Sequence, residues 1–242
     1  MPAKPGPLRP HEERRSYKRA ESLPDVPGRP DLGDSFLIVT EGEVTEKLYF
    51  ESLRARLRLK AATVRVVHPG CTDAVGLVQA AVHLRDEPPQ RRSRGELGNR
   101  DIEKFDHVWV VFDTDIPNRQ DQLAPALELA RSEGIKAALS TPSVELWLLL
   151  HFRDRPGAFL DSDAAERAVA KAWGQRYDKS ENTFRLLWPR LSLEIAQAVH
   201  RAGQTRQFHK ASGASFPPNP STDADLLVLA MNAAVQAHLR II

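Results

Sequence analysis

The segment Ser35-Phe-Leu-Ile-Val-Thr-Glu-Gly-Glu-Val-Thr-Glu46 constrains this chain more than any other, because an apolar run ends abruptly in acid. Phe36, Leu37, Ile38 and Val39 form an unbroken apolar run preceded by Gly33 and Asp34. A short β-branched run of this kind reads as a strand covered on both faces, the environment of a parallel sheet with helices on each side. Gly42 lets the chain turn, and Thr45 and Glu46 open a helical pattern carried by Leu48, Tyr49, Leu53 and Leu57. Glu41 therefore falls at the carboxyl end of a strand, where open α/β sheets place their sites.

A second run, Asp106-His-Val-Trp-Val-Val-Phe-Asp-Thr-Asp115, repeats the arrangement and ends in Asp113 and Asp115. If the two strands are neighbours, about 5 Å apart, Glu41, Asp113 and Asp115 share one mouth. Alternate residues at a strand end point the same way, so Asp113 and Asp115 suit a single hard cation, with Mg²⁺ (or Mn²⁺) the natural candidate.

Further along, 63–67 reads as a strand, 73–84 as a helix, 122–132 as an amphipathic helix capped by Gly134, and 135–139 as another strand. The resulting β-α-β-α-β-α-β order predicts an α/β fold with a parallel four-stranded sheet, flanking helices and right-handed crossovers. Beyond it, Thr141-Pro-Ser143 reads as a polar helix cap. The stretches 164–173, 182–188, 193–201 and 223–239 show helical periodicity, with Pro189 and Pro217-Pro-Asn-Pro220 as breakers. Three regions follow: an arm at 1–33, an α/β domain at 34–140 and a mostly helical part at 141–242 packed on it.

The arm carries seven prolines and almost no large apolar groups, which predicts a disordered or wrapped segment. Its Arg14, Arg15, Lys18 and Arg19 suit phosphate, yet Glu12, Glu13 and Glu21 interleave with them, as in a solvated tail. Residues 87–105 break the helical pattern and gather Arg91, Arg92, Arg94 and Arg100. This insertion reads either as a solvated loop or as a flap that contacts phosphate beside the mouth. Glu145 interrupts an apolar helix, so it must face the surface, pair with a base or join the site. His151 has no second His or Cys at ligand spacing and reads as a packed or surface imidazole. Ser221 and Thr222 resemble a helix start.

With 242 residues and 41% apolar content, the chain can bury one good core, with room for a small second lobe. Lys and Arg number 34 against 32 acidic residues, so a nucleic-acid surface would have to be local. The single Cys71 excludes an intramolecular disulfide and a cysteine zinc site and fits a reducing compartment. No stretch approaches the ~20 apolar residues that span a bilayer, and the amino terminus lacks a signal-peptide core. The expectation is a cytoplasmic protein with no membrane partner.

Five motifs in order carry a resemblance: Ile38-Val-Thr-Glu-Gly-Glu-Val-Thr-Glu-Lys-Leu-Tyr-Phe50, Phe112-Asp-Thr-Asp115, Thr141-Pro-Ser-Val-Glu-Leu-Trp-Leu-Leu-Leu-His-Phe152, Tyr177-Asp-Lys179 and Asn219-Pro-Ser-Thr222. Together they are similar to the RloB-like family, which includes AbiLii-type phage-defence proteins, and the Glu-Gly and Asp-x-Asp elements resemble the Toprim signature. The resemblance implies a Toprim-like fold and metal site at Glu41, Asp113 and Asp115, and a role in anti-phage defence or abortive infection. It also draws attention to Tyr177 and Lys179, suited to stack on a base and to neutralise a phosphate. Three functions remain open. One is an Mg²⁺-dependent nuclease, with RNA such as tRNA the favoured nucleic-acid partner and Glu145 joining the catalytic set. A second is a small-nucleotide phosphohydrolase. The third is a non-catalytic subunit that binds nucleic acid or docks on a partner such as a defence-system ATPase.

Overall fold

The computed structural model describes residues 34–60, 63–70, 73–87, 104–114, 120–154, 156–235 and 241–242. The arm at 1–33, Cys71, the arginines Arg91, Arg92, Arg94 and Arg100, and Asp115 lie outside the described residues.

The two acid-terminated runs form central strands. β1 (Phe36–Thr40) lies between β2 (Val64–Val67) and β3 (His107–Asp113), with β4 (Lys136–Thr141) beyond β3. All four are parallel, with Val39 opposite Val110 and Thr40 opposite Val111. A short β5 (Ser221–Thr222) closes the sheet antiparallel to β4. The expected four-stranded parallel sheet is thus a five-stranded, mostly parallel one. Ser221 and Thr222 do not begin a helix; they pair with Thr141 and Ser140, and the helix starts just after them. A two-residue strand is too short to show any periodicity, so local pattern could not reveal it.

Helices cover both faces. α1 (Thr45–Arg56), α2 (Ala74–Asp86) and α3 (Gln120–Ser132) connect the parallel strands. Then follow α4 (Glu145–Leu149), α5 (Ser162–Trp173), α6 (Glu181–Leu191), α7 (Ile195–Ser212) and α8 (Ala224–Ala233). Strand alternation sorts the core into two layers. Leu37, Val39, Val110 and Phe112 pack with Leu77 and Val78 of α2 and Leu123 and Ala126 of α3. Phe36, Ile38, Trp109 and Val111 pack with Leu53 of α1, Trp147 of α4, Leu187 of α6 and Leu227 of α8. Residues from both sides of position 140 therefore share one core, inside one compact unit spanning Leu32–Ile242. Pro189 does not break its helix: it sits in the last turn of α6, where it removes the one donor that would have met Arg185 O and only Arg190 and Leu191 follow it. Among the described residues no helix is long and apolar enough to cross a membrane.

Hydrogen bonds pin the β1–β3 pair at each end. At the amino ends, the Ser35 N–H and Oγ donate to Asp106 Oδ2 at 2.8 and 2.7 Å, bonds that hold the Asp106 carboxyl below its usual range. At the carboxyl ends, the Glu41 N–H donates to Val111 O at 2.9 Å. The acidic residues that end the two strands are brought level by this double anchoring.

A shared core makes a testable demand. Leu187→Ala, deep in α6, should destabilise the chain by about 2–5 kcal/mol. In urea, tryptophan fluorescence and far-UV circular dichroism should shift together; separate transitions would mean that residues 141–242 fold independently.

Candidate functional site

Glu41 leaves β1 at the level where β3 ends, and its Oε2 accepts the Asp113 N–H at 3.1 Å. Asp113 in turn accepts the Val144 N–H on Oδ1 at 2.8 Å. The polar cap expected from Thr141 and Ser143 is thus supplied across the sheet by Asp113, for Val144 makes no side-chain cap of its own. Thr141–Pro142 is a cis peptide bond. Ser143 serves another partner, donating from Oγ to Glu145 Oε2 at 2.6 Å.

Glu145 is fully buried. Its Oε1 accepts the Tyr177 hydroxyl at 3.0 Å and lies 3.4 Å from Lys179 Nζ, which also reaches Glu166 Oε1 at 3.0 Å. Of the three fates the sequence left open to Glu145, the structure gives it pairing with a base, Lys179, behind the cleft. Thr45 Oγ1 stands 3.4 Å from the Tyr177 hydroxyl, tying the first turn of α1 to this network.

The residue that sequence reasoning missed is Glu46. It is only 5% exposed, and its carboxylate occupies the space a side chain at position 42 would need. A Cβ on Gly42 would lie 1.7 Å from Glu46 Oε2. Gly42 leaves room for this close approach at a φ that is not among the positive ones, and a side chain there would push the Glu46 carboxylate aside. The only sequence signal was a glutamate in the first helical turn after Glu-Gly, which reads equally well as a favourable helix-dipole charge.

Crowding of like charges sets the electrostatics. Burial, then the charges of Glu46, Glu145 and Glu41, push the Asp113 carboxyl well above its ordinary range, with Lys179 opposing. Burial raises Glu46 to about 7, aided by Glu145 and Glu41 and opposed by its own backbone N–H and by Lys179. Burial and the Glu145 charge also push the Tyr177 hydroxyl up, so it remains a neutral donor. For Lys179, burial acts downward but is outweighed by Glu145 and Glu166, so the ammonium stays charged.

Glu41, Asp113, Asp161, Ser162, Asp163, Glu166 and Lys179 line a cleft of about 430 Å³. The structure thus brings together Glu41, Asp113, Glu145, Tyr177 and Lys179, and adds Glu46, Ser143 and Glu166. Among the described residues no three acidic or histidine side chains already stand as a metal-holding group. His151 is a packed imidazole: Nδ1 pairs with Trp147 O at 2.9 Å, Nε2 meets the Tyr49 hydroxyl at 3.1 Å, and burial lowers its pKa to about 4.

Glu46 binds its proton more tightly in the folded chain than at the ordinary value of 4.5. Its contribution to stability is therefore full below pH 4.5 and lost as pH rises through about 7. In chelator, Glu46→Gln should remove roughly 3 kcal/mol of that loss, at 1.36 kcal/mol per pKa unit. Urea titrations of both proteins at acid and alkaline pH check this; identical pH slopes would mean that Glu46 is solvated.

Comparison with known proteins agrees with the span of these features. Residues 36–231, from the first strand into the last helix, match the family model described as RloB-like protein. No curated protein and no solved structure matches the chain. With most of its length matched, and with every described residue of the cleft inside that span, the chain belongs to the RloB-like protein family.

Proposed function

We propose that this chain is a divalent-cation-dependent phosphodiester hydrolase with a Toprim-like site, cleaving RNA such as tRNA in anti-phage defence. The observation that carries the chemistry is the placement of Glu41 and Asp113 on one cleft where β1 and β3 end, with a crowding of charge that favours protons on Asp113 and on the buried Glu46 beside it. Carboxylate oxygens are the donors that hard cations take, and a cation among them removes the repulsion that holds those protons. The donor set therefore fits Mg²⁺ or Mn²⁺. Glu41 and Asp113 would hold it, with Asp115 from outside the described residues. Such a cation, when bound, polarises a phosphoryl oxygen and lowers the pKa of water.

The remaining roles belong to the chain's own groups. Glu46 is buried and does not line the cleft, so its role is to add negative charge behind Glu41 and Asp113, which favours a cation there. Lys179 supplies positive charge to the cleft for a non-bridging phosphate oxygen. Neighbouring Tyr177 stays protonated and holds Glu145 in place. The RNA and defence components rest on family resemblance, as does a partner ATPase. One observation favours the second reading, a small-nucleotide phosphohydrolase: a cleft of about 430 Å³ is of the size that encloses a single small ligand.

Labelled tRNA, single-stranded RNA, duplex DNA and mononucleotides, each with Mg²⁺, Mn²⁺ or chelator, distinguish these readings. Chelator-sensitive cutting of RNA is expected, and turnover of mononucleotides alone would replace it with the second reading. Asp113→Asn should lower the rate by about 10²–10⁴. The same variant should abolish the Mg²⁺-dependent rise in melting temperature, because a ligand that binds only the folded state stabilises it by mass action. A full Mg²⁺ shift and full activity in Asp113→Asn would place the site elsewhere.

A further inference from the structure

Glu145 and Lys179 are joined by an ion pair, yet they stand differently toward the cleft. Lys179 and Glu166 line it, whereas Glu145 does not and is fully buried behind them. Both Glu145 oxygens are occupied: Oε2 by Ser143, and Oε1 by Tyr177 and Lys179. A carboxylate saturated in this way is poorly placed to take a proton from water or to meet a ligand. A buried carboxylate without partners would cost several kcal/mol, so the three donors account for its tolerance but not for its use. Its geometry supplies a use. The Lys179 ammonium is shared between two carboxylates, 3.4 Å from Glu145 Oε1 and 3.0 Å from Glu166 Oε1. It lines the cleft as well, and an ammonium with three N–H donors can serve a further acceptor there.

We infer, resting on the phosphodiester reading above, that Glu145 is a positioning residue: with Glu166 it yokes Lys179 so that the ammonium meets a phosphate oxygen in the cleft. The logic is that of a lysine held by a glutamate so that it reaches phosphates in phosphoryl-transfer enzymes. Two carboxylates balance the ammonium while the site is empty of anion and restrict its rotamers, so less side-chain entropy remains to be lost on binding. Because the rest of the cleft is acidic, Lys179 is the one lining side chain among the described residues whose charge favours an oxyanion. Glu145 acts only through it.

That dependence is tested by a double-mutant cycle on Glu145→Gln and Lys179→Met, measured by Mg²⁺-supported cleavage of labelled tRNA. Each single variant should lose at least about tenfold, and the double should be no slower than Lys179→Met alone, since residues acting as a unit are non-additive. Losses that multiply in the double variant would overturn the inference. A second readout does not depend on cleavage: mass spectrometry of Lys179 acetylation in the wild-type chain with Mg²⁺ and either inorganic phosphate or an RNA dinucleotide. Slower labelling with either supports the oxyanion contact, protection by the dinucleotide alone assigns it to a diester, and unchanged labelling with both overturns it. If wild-type protein cuts no polymer, the nuclease reading fails, and the labelling result still decides the role of Lys179.

Discussion

Repulsion among carboxylates at the exits of β1 and β3 is the constraint around which the rest of this molecule is arranged. Two like charges about 5 Å apart at an effective dielectric near 20 repel by roughly 3 kcal/mol, a large share of the net stability of a domain. The charges of Glu41 and Glu145 stand close enough to raise the proton affinity of Glu46 and Asp113. The fold answers with donors from the chain itself. Backbone N–H groups of Asp113 and Val144 serve Glu41 and Asp113, while Ser143, Tyr177 and Lys179 serve Glu145.

Those donors explain why the helical half of the chain is built into the sheet. Tyr177 and Lys179 lie between α5 and α6, far in sequence from β1, yet both reach Glu145 just past the end of β4. They can do so because Phe184 and Leu187 of α6 belong to the same buried layer as Leu53 of α1 and Ile38 of β1. Burial of side chains this size contributes roughly 1.5–3 kcal/mol each, which sets the apolar layer against the cost of the charges it carries. Packing thus fixes the position of Lys179 on the acidic cleft.

Much of the fold was legible in the sequence because its signals are local and strong. Phe36 to Val39 and Val108 to Phe112 are buried on both faces, as uninterrupted apolar runs imply, and Gly134, at φ +67°, follows α3 in the conformation that its residue type suits. β5 was illegible, since two residues hold no period and their pairing with β4 is decided some 80 positions away in the chain. Pro189 misled for a related reason: its effect on a helix depends on where the helix ends, which packing decides.

For the site the division falls between residue type and residue contact. The sequence by itself determined that Glu41 and Asp113 end apolar strands, and hence that acid gathers at the carboxyl edge of a parallel sheet, because strand burial and chain direction are written in short runs. It also marked Glu145, Tyr177 and Lys179 as residues to place. Only the tertiary structure decided that Glu46 lies over Gly42, that Asp113 caps α4, and that Glu145 is saturated by Ser143, Tyr177 and Lys179. The contacts of Asp113 with Val144 and of Glu145 with Tyr177 and Lys179 join groups more than 30 positions apart in the chain, at separations that carry no period, so nothing short of the packed chain could specify them.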